Sequence, residues 1–170
     1  MKVSNKIGNT PPKIKDILFV CSGNTCRSPL AEGLLKRLLK EGNISGISVS
    51  SAGTSALTGT SASYNAVKVA YEEGIDISDH KARALTSEMI AKPDLIITME
   101  EGHKQDILAH SPKAKPKVFL LRNFAQFGSK TRNIFDPYGA NIENYRFCFQ
   151  DIKECVMGIY QMLRTQNKQK

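Results

Sequence analysis

Cysteine is scarce in this sequence, and long apolar runs are missing. The 170 residues include four cysteines, too few for the disulfide framework of a small secreted domain. No apolar run approaches the roughly 20 residues that cross a bilayer, and the lysines near the start of the chain are not followed by the apolar stretch of a signal peptide. We therefore expect a cytoplasmic protein with free thiols and no membrane partner.

Acidic residues are also few compared with basic ones. The 24 lysines and arginines outnumber the 16 aspartates and glutamates, which gives a net charge of +8. A basic surface can attract nucleic acids, acidic membranes or phosphorylated substrates. The basic residues are scattered, however, and no basic stripe is interleaved with aromatic residues as a nucleic-acid platform requires. We therefore expect a solvated basic surface and no nucleic-acid partner.

Short apolar runs alternate with helical patterns along the chain. The patterns predict strands at 17–20, 46–53, 94–99 and 117–121, and helices at 28–40, 61–73, 101–110 and 141–163. Such alternation favours right-handed crossovers and a parallel sheet covered on both faces. The sequence thus predicts a single-domain, three-layer α/β fold with a four-stranded parallel sheet flanked by helices. In sheets of this kind, ligands lie beyond the carboxyl ends of the strands.

The stretch ILFVCSGNTCRSPLA (17–31) places a cysteine directly after the first predicted strand. Five small or polar residues separate Cys21 from Arg27, and a helix is predicted from Ser28. Gly23 lets the backbone curl, and Asn24 tolerates the left-handed conformation that turns successive N–H groups the same way. A loop of this kind is typical of a site for a tetrahedral oxyanion.

The same loop favours Cys21 as a nucleophile. Cations, helix N-termini and inward-facing amides lower the pKa of a thiol, and all three are expected around Cys21. Arg27 supplies a planar fork for phosphate, and Ser28 can donate its hydroxyl to the thiolate. Pro29 suits the first helical turn, where no N–H is needed. The alternative, a structural cysteine beside a capping serine, explains neither the arginine nor the small loop residues.

The sequence predicts packing roles for the other three cysteines. Cys26 is interpreted as a packing thiol, although its closeness to Cys21 would allow a reversible disulfide under oxidation. Cys148 and Cys155 share one face of the last predicted helix but stand about 10 Å apart along it. They cannot jointly hold one zinc ion, so we expect them in the core.

The polar stretch FGSKTRNIFDPYGAN (127–141) is the longest candidate functional loop. It contains Asp136, a candidate acid for protonating a leaving group. Pro137 then restricts the backbone, and Tyr138 is a candidate wall of the cleft. An Asp-Pro pair alone is ordinary turn chemistry. Together with the Cys-x5-Arg pattern, it indicates acid catalysis.

The segments FVCSGNTCRSPLAEG and DPYG, in this order, resemble the low-molecular-weight protein-tyrosine phosphatases. The resemblance extends from Asp16 to about Met162 and implies a Rossmann-like or flavodoxin-like fold. It also implies hydrolysis through a phosphocysteine, with no cofactor and no metal. In that mechanism Cys21 is the nucleophile, Arg27 binds the phosphoryl oxygens, and Asp136 acts first as acid and then as base.

The resemblance also assigns the residues around the nucleophile. It implies phosphate-binding and loop-supporting roles for Ser22, Gly23, Asn24, Thr25, Cys26, Ser28 and Ser51. Asn24 is implied to hold the loop in shape, and Ser45 is a further candidate support. The segment ISDHKARALT matches the family as well, which makes His80 a structural partner of the loop. The chain is thereby divided into a disordered basic leader (1–15), the phosphatase domain (16–164) and a polar tail (165–170).

Two substrate groups are compatible with these motifs, and both imply a phosphorylated protein as partner. Thr25, directly before Cys26, resembles the bacterial protein-arginine phosphatases, whereas phosphotyrosine-directed members often carry a larger aliphatic residue there. The DPYG segment has one aromatic residue, Tyr138, where many tyrosine phosphatases have two. A single ring makes a poorer slot for a phenyl group. Thr25 and Tyr138 are therefore the candidate pocket residues, with phosphoarginine favoured and phosphotyrosine as the alternative.

Two other activities fit the sequence less well. Arsenate reductases share the fold and the first cysteine but need further cysteines downstream for a disulfide relay. Residues 90–101, IAKPDLIITMEE, contain none. A non-catalytic phosphoprotein-binding module would keep Arg27 and the loop amides, but it would not need both Cys21 and Asp136.

Overall fold

A four-stranded sheet lies between two layers of helices in the computed structural model, which describes residues 13–128 and 130–168. The strands are β1 (Asp16–Cys21), β2 (Ser48–Gly53), β3 (Leu95–Thr98) and β4 (Val118–Leu120). The helices are α1 (Arg27–Glu41), α2 (Tyr64–Glu72), α3 (Ser87–Ala91), α4 (Glu101–His110) and α5 (Ile142–Lys168). The strands run parallel in the order β2-β1-β3-β4. The predicted α/β fold is confirmed.

Strand β1 is central because its side chains are apolar on both faces of the sheet. Ile17 and Phe19 are fully buried in the larger core, which α1, α2 and α5 complete. Leu18 and Val20 point the opposite way, into a smaller core with side chains of α3 and α4. Each such side chain contributes about 1.5–3 kcal/mol by leaving water. Burial on both faces explains why β1 reads as one continuous apolar run.

All four cysteines are free and buried. Cys148 and Cys155 are fully buried in the larger core, on the face of α5 that packs toward the sheet. This placement confirms their predicted packing role. Burial raises the pKa of Cys148 to about 12 and that of Cys155 to about 11.

Several boundaries differ from the predicted ones. Helix α2 begins only at Tyr64, because the Ser63 hydroxyl caps it by accepting the Ala66 N–H at 3.3 Å. Helix α5 continues past its predicted end at Leu163, so residues 165–168 of the predicted tail are helical. Most of the predicted leader lies outside the described residues. No helix among those described has the length and apolarity needed to span a membrane.

The loop after β1 lies beside the end of β2, because these parallel neighbours end at the same edge of the sheet. Cys21 and Gly53 are register partners in the final row of the sheet. A Cβ atom on Gly53 would lie 2.4 Å from the carbonyl oxygen of Ser22 and 2.9 Å from the backbone nitrogen of Asn24. The absence of a side chain at residue 53 therefore lets the loop pack closely against the sheet.

Candidate active site

The loop between β1 and α1 forms the floor of the candidate site. Cys21 is the last residue of β1, and Arg27 is the first residue of α1. Asn24 adopts the left-handed conformation that the sequence predicts, with a φ of 54°. Its backbone N–H donates to Cys21 Sγ at 3.3 Å. The loop thus curls back over the thiol, as an oxyanion site requires.

The side chain of Asn24 ties the loop to its surroundings. It is fully buried, and its Nδ2 donates to Ser28 Oγ and Ser51 Oγ, both at 2.8 Å. Its Oδ1 accepts the backbone N–H of Arg83 at 2.9 Å. His80 Nε2 lies 2.8 Å from the Asn24 carbonyl oxygen. These contacts bring Ser28, Ser51 and His80 to the loop, where the resemblance places them.

The Cys21 thiol lies at the bottom of the loop and is 3% exposed. Its Sγ is 2.9 Å from Ser28 Oγ. Burial raises the pKa of Cys21 above its usual value, while Ser28, Arg27 and the Asn24 N–H act to lower it. The sequence predicts a lowered pKa for Cys21, but in this structure the desolvation of the thiol outweighs the groups that favour the thiolate.

Arg27 is held between this loop and the loop that carries Asp136. Its side chain is buried, and its Nη2 lies 3.0 Å from Asp136 Oδ2. Nη1 donates to the Ile134 carbonyl oxygen at 3.0 Å and forms a close ion pair with Glu100 Oε1. Two carboxylates thus compensate the buried guanidinium charge, whose isolated burial would be costly.

Asp136 and Tyr138 form one side of the open pocket above Cys21. Asp136 Oδ1 accepts the backbone N–H of Tyr138 at 3.1 Å, and Tyr138 is 76% exposed. The pocket has a volume of about 420 Å³, and it is lined by Cys21, Ser22, Gly23, Thr25, Cys26, Arg27, Ser55, Leu57, Thr60, Asp136 and Tyr138. The structure therefore brings the three predicted catalytic residues into one cavity.

Thr25 and Cys26 lie on the side of the loop next to α2 and α5. The Thr25 carbonyl oxygen accepts the Ser63 N–H at 2.9 Å, and Thr25 lines the pocket. Cys26 Sγ lies 3.3 Å from both Ser63 Oγ and the Tyr145 hydroxyl. Burial and the contact with Cys26 raise the pKa of Tyr145 to about 12. Cys26 thus has the buried packing position that the sequence predicts.

Sequence reasoning missed the contribution of the segment after β3. Glu100 pairs with Arg27, and His103 Nε2 lies 2.8 Å from Ser22 Oγ. Both belong to the capping box at the start of α4, in which His103 Nδ1 accepts the Glu100 N–H at 3.1 Å. The signal in the sequence was a Glu-x-x-His spacing directly after the third strand, at the sheet edge where ligands bind.

Ser45 is misplaced in the prediction. It is exposed in the turn between α1 and β2, where it lines a groove with Lys15 and Gln166. This turn precedes β2, so Ser45 lies at the amino edge of the parallel sheet. The loop that it was expected to support lies at the carboxyl edge. Ser51, near the end of β2, supplies the actual contact.

Comparison with known proteins agrees with this geometry. Residues 16–169 match the family model described as low molecular weight phosphotyrosine protein phosphatase. The chain is 40% identical over 143 residues to the probable low molecular weight protein-tyrosine-phosphatase EpsP of Ralstonia nicotianae, covering 84% of this chain and 92% of EpsP. It is 37% identical over 150 residues to a protein-arginine-phosphatase of Geobacillus stearothermophilus, covering 88% and 97%.

A solved structure shows the same fold. The tyrosine phosphatase Wzb from Escherichia coli K30, in complex with sulphate, superposes with a TM-score of 0.79 at 30% identity, covering 88% of this chain and 99% of Wzb. The family match spans nearly the whole chain, and the relatives are protein phosphatases of two named substrate classes. The chain therefore belongs to the low molecular weight phosphotyrosine protein phosphatase family and is a protein phosphatase.

Proposed function

We propose that this phosphatase dephosphorylates proteins through a phosphocysteine on Cys21, with phosphoarginine as its favoured substrate group and phosphotyrosine as the alternative. The observation that carries the proposal is the convergence of Cys21, Arg27 and Asp136 on one open pocket. A nucleophile, a two-pronged cation and a carboxyl group are the parts needed for phosphoryl transfer by positioning and charge stabilisation.

In the first step, the Cys21 thiolate attacks phosphorus from the floor of the pocket. An S–P bond forms as the bond from phosphorus to the leaving group breaks. The leaving nitrogen or oxygen keeps that electron pair and receives a proton from Asp136. Arg27 and the loop amides bind the phosphoryl oxygens. Arg27 Nη2 lies 3.0 Å from Asp136 Oδ2, so the residue that binds the phosphoryl oxygens also contacts the carboxyl group that donates the proton.

In the second step, water attacks the phosphocysteine and Asp136 accepts the proton of that water. The S–P bond breaks, its electron pair returns to sulfur, and inorganic phosphate leaves. Ser28 Oγ, 2.9 Å from Cys21 Sγ, can donate a hydrogen bond to the departing thiolate. A hydrogen bond to the charged sulfur lowers the pKa of the thiol and makes it a better leaving group.

Polar residues in the pocket lining support phosphoarginine. Thr25, Thr60 and Asp136 line the cavity and have side-chain oxygen acceptors, and a phosphorylated guanidinium group has N–H donors for them. A phenyl ring has no such donors and depends on apolar walls, which here are the exposed side chains of Leu57 and Tyr138. The relatives are named for both substrate classes, so their names favour neither.

The decisive experiment compares kcat/KM on matched phosphoarginine and phosphotyrosine peptides. We expect the wild type to prefer phosphoarginine. Thr25→Ile replaces a hydroxyl by apolar bulk with little change in backbone preference, and should move the ratio of the two kcat/KM values toward phosphotyrosine by about 10- to 200-fold. Thr165→Ile, at an exposed position of α5, is the matched control and should leave the ratio unchanged. A wild-type preference for phosphotyrosine would favour the alternative.

We infer that the working compartment is the reducing cytoplasm. Cys21 has to remain reduced for this chemistry, and all four cysteines are free. Cys26 lies in the same loop, so we expect oxidation to form a reversible Cys21–Cys26 disulfide. Loss of activity under mild oxidation, with recovery on adding a thiol reductant, is the expected result.

A further inference from the structure

His103 is buried at the start of α4 and contacts the phosphate loop from outside the pocket. Only 5% of the residue is exposed. Its Nδ1 accepts the backbone N–H of Glu100 at 3.1 Å, and its Nε2 lies 2.8 Å from Ser22 Oγ. Ser22 follows the nucleophile directly and lines the pocket. The histidine therefore touches the loop without touching the space where substrate would bind.

The two hydrogen bonds determine which ring nitrogen carries the proton. A backbone N–H can only donate, so Nδ1 has to be the acceptor, and a neutral ring then carries its hydrogen on Nε2. The charged groups around the ring are Arg27, Glu100, Asp106 and Asp136. Burial and the Arg27 charge lower the pKa of His103 and thereby favour the neutral ring. In this tautomer, the Nε2–H group donates to Ser22 Oγ.

A hydroxyl that accepts one hydrogen bond still has its own hydrogen to donate. His103 occupies one side of Ser22 Oγ, and Ser22 lines the pocket, so this hydrogen is available for a group bound there. We propose that His103 is a positioning residue that orients the Ser22 hydroxyl, so that Ser22 donates a hydrogen bond to the bound phosphoryl group. This inference rests on the proposed function and deepens it, because it assigns a role in oxyanion binding to a residue outside the loop.

The same histidine links Ser22 to the partner of Arg27. Glu100, whose N–H donates to His103, places its carboxylate on the Arg27 guanidinium. One short segment after β3 thus contacts a neutral donor, Ser22, and a charged donor, Arg27, which both line the pocket. Because Glu100 and His103 belong to one segment, they hold the Arg27 guanidinium and the Ser22 hydroxyl at a fixed separation. A fixed separation of these two donors favours binding of one tetrahedral oxyanion.

Two replacements of His103 separate its two hydrogen bonds. Asparagine can place its amide oxygen near the position of Nδ1, which keeps the bond to the Glu100 N–H but does not reach Ser22. Glutamine can place its amide nitrogen near the position of Nε2 and donate to Ser22 Oγ. The matched control is His110→Asn, because His110 is exposed at the other end of the same helix.

The probe is inorganic phosphate, and its Kd is measured by calorimetry on each full-length variant, so that the measurement does not depend on turnover. Loss of one hydrogen bond to a charged group should raise the Kd by about 10-fold or more in Ser22→Ala and in His103→Asn. We expect His103→Gln to recover much of the affinity and His110→Asn to match the wild type. The double variant Ser22→Ala/His103→Asn should bind no more weakly than Ser22→Ala, because both changes remove one interaction.

A second measurement distinguishes hydrogen-bond donation from simple support of the loop. The rate at which iodoacetamide alkylates Cys21 reports the state of the thiol and the loop without requiring an oxyanion. We expect this rate to be unchanged in Ser22→Ala and His103→Asn. A wild-type Kd for phosphate in either variant would overturn the inference. A parallel decrease in alkylation and phosphate binding would also overturn it, since the contact would then only hold the loop in shape.

The inference and the proposed function fail in different ways. A wild-type protein that binds phosphate but transfers no phosphoryl group to Cys21 would contradict the proposed function and leave the Ser22–His103 contact testable. Normal turnover in the wild type, with normal phosphate binding in His103→Asn, would contradict only the role of His103.

Discussion

Replacing Asn24 by alanine should destabilise the protein far more than the same change at Asn43. Both asparagines have left-handed backbones, with φ values of 54° and 53°, so alanine meets a similar backbone penalty of about 1 kcal/mol at each position. Asn43 is exposed. Asn24 is buried and makes three side-chain hydrogen bonds, to Ser28, Ser51 and the Arg83 N–H.

The difference can be estimated from these contacts. Each lost hydrogen bond costs about 0.5–1.5 kcal/mol, and the buried partners left unpaired cost more. We therefore expect Asn24→Ala to lower the free energy of unfolding by about 3–5 kcal/mol, a large part of the total stability of a domain. Asn43→Ala should lower it by about 1 kcal/mol. Asn24→Gly keeps the backbone relaxed and should recover about 1 kcal/mol relative to Asn24→Ala.

Urea denaturation gives the free energies of unfolding, and calorimetry with inorganic phosphate gives the Kd of each folded variant. We expect Asn24→Gly to remain folded but to bind phosphate more weakly than the wild type, because the loop loses its side-chain support. Asn43→Gly is the matched control and should bind like the wild type. Equal stability losses at Asn24 and Asn43 would refute the claim that hydrogen bonds hold this loop.

Three further predictions concern the chemistry and the core. Asp136→Asn should reduce kcat by about 10²- to 10⁴-fold on substrates with poor leaving groups, and less on p-nitrophenyl phosphate. Equal losses on both would mean that Asp136 only shapes its loop. Ser28→Ala removes a hydrogen bond that lowers the pKa of Cys21, so the acidic limb of the pH profile of kcat/KM should move to higher pH. An unmoved limb would show that Ser28 does not stabilise the thiolate. Burial raises the pKa of Cys148 to about 12 from an ordinary 9.0, so its contribution to stability is complete below pH 9.0 and is lost as the pH rises toward 12. In urea denaturation at alkaline pH, Cys148→Val should therefore lose less stability than the wild type, and an equal loss would contradict this.

The sequence predicted features that depend on local pattern. The strand and helix that flank the phosphate loop were identified almost to the residue, because an apolar run marks the strand and Pro29 marks the first turn of the helix. The left-handed conformation of Asn24 followed in the same way from residue type. The five-residue helix α3 escaped prediction, since it is too short to show a helical period.

Features that depend on tertiary contacts could not be predicted in this way. Glu100 contacts Arg27 across 73 positions of sequence, and His103 contacts Ser22 across 81. The raised pKa of Cys21 reflects burial, whereas the sequence displays only the groups that lower it. Ser45 was misplaced for a related reason, because its position relative to the loop depends on which edge of the sheet its turn occupies.

Trapping the covalent intermediate tests the central claim most directly. Wild-type protein mixed with p-nitrophenyl phosphate and quenched in the pre-steady state should carry one phosphoryl group on the peptide that contains Cys21, as identified by mass spectrometry. Cys21→Ser should release no p-nitrophenol in steady state under the same conditions. A phosphoryl group on another residue, or continued turnover by Cys21→Ser, would contradict the assignment of Cys21 as the nucleophile.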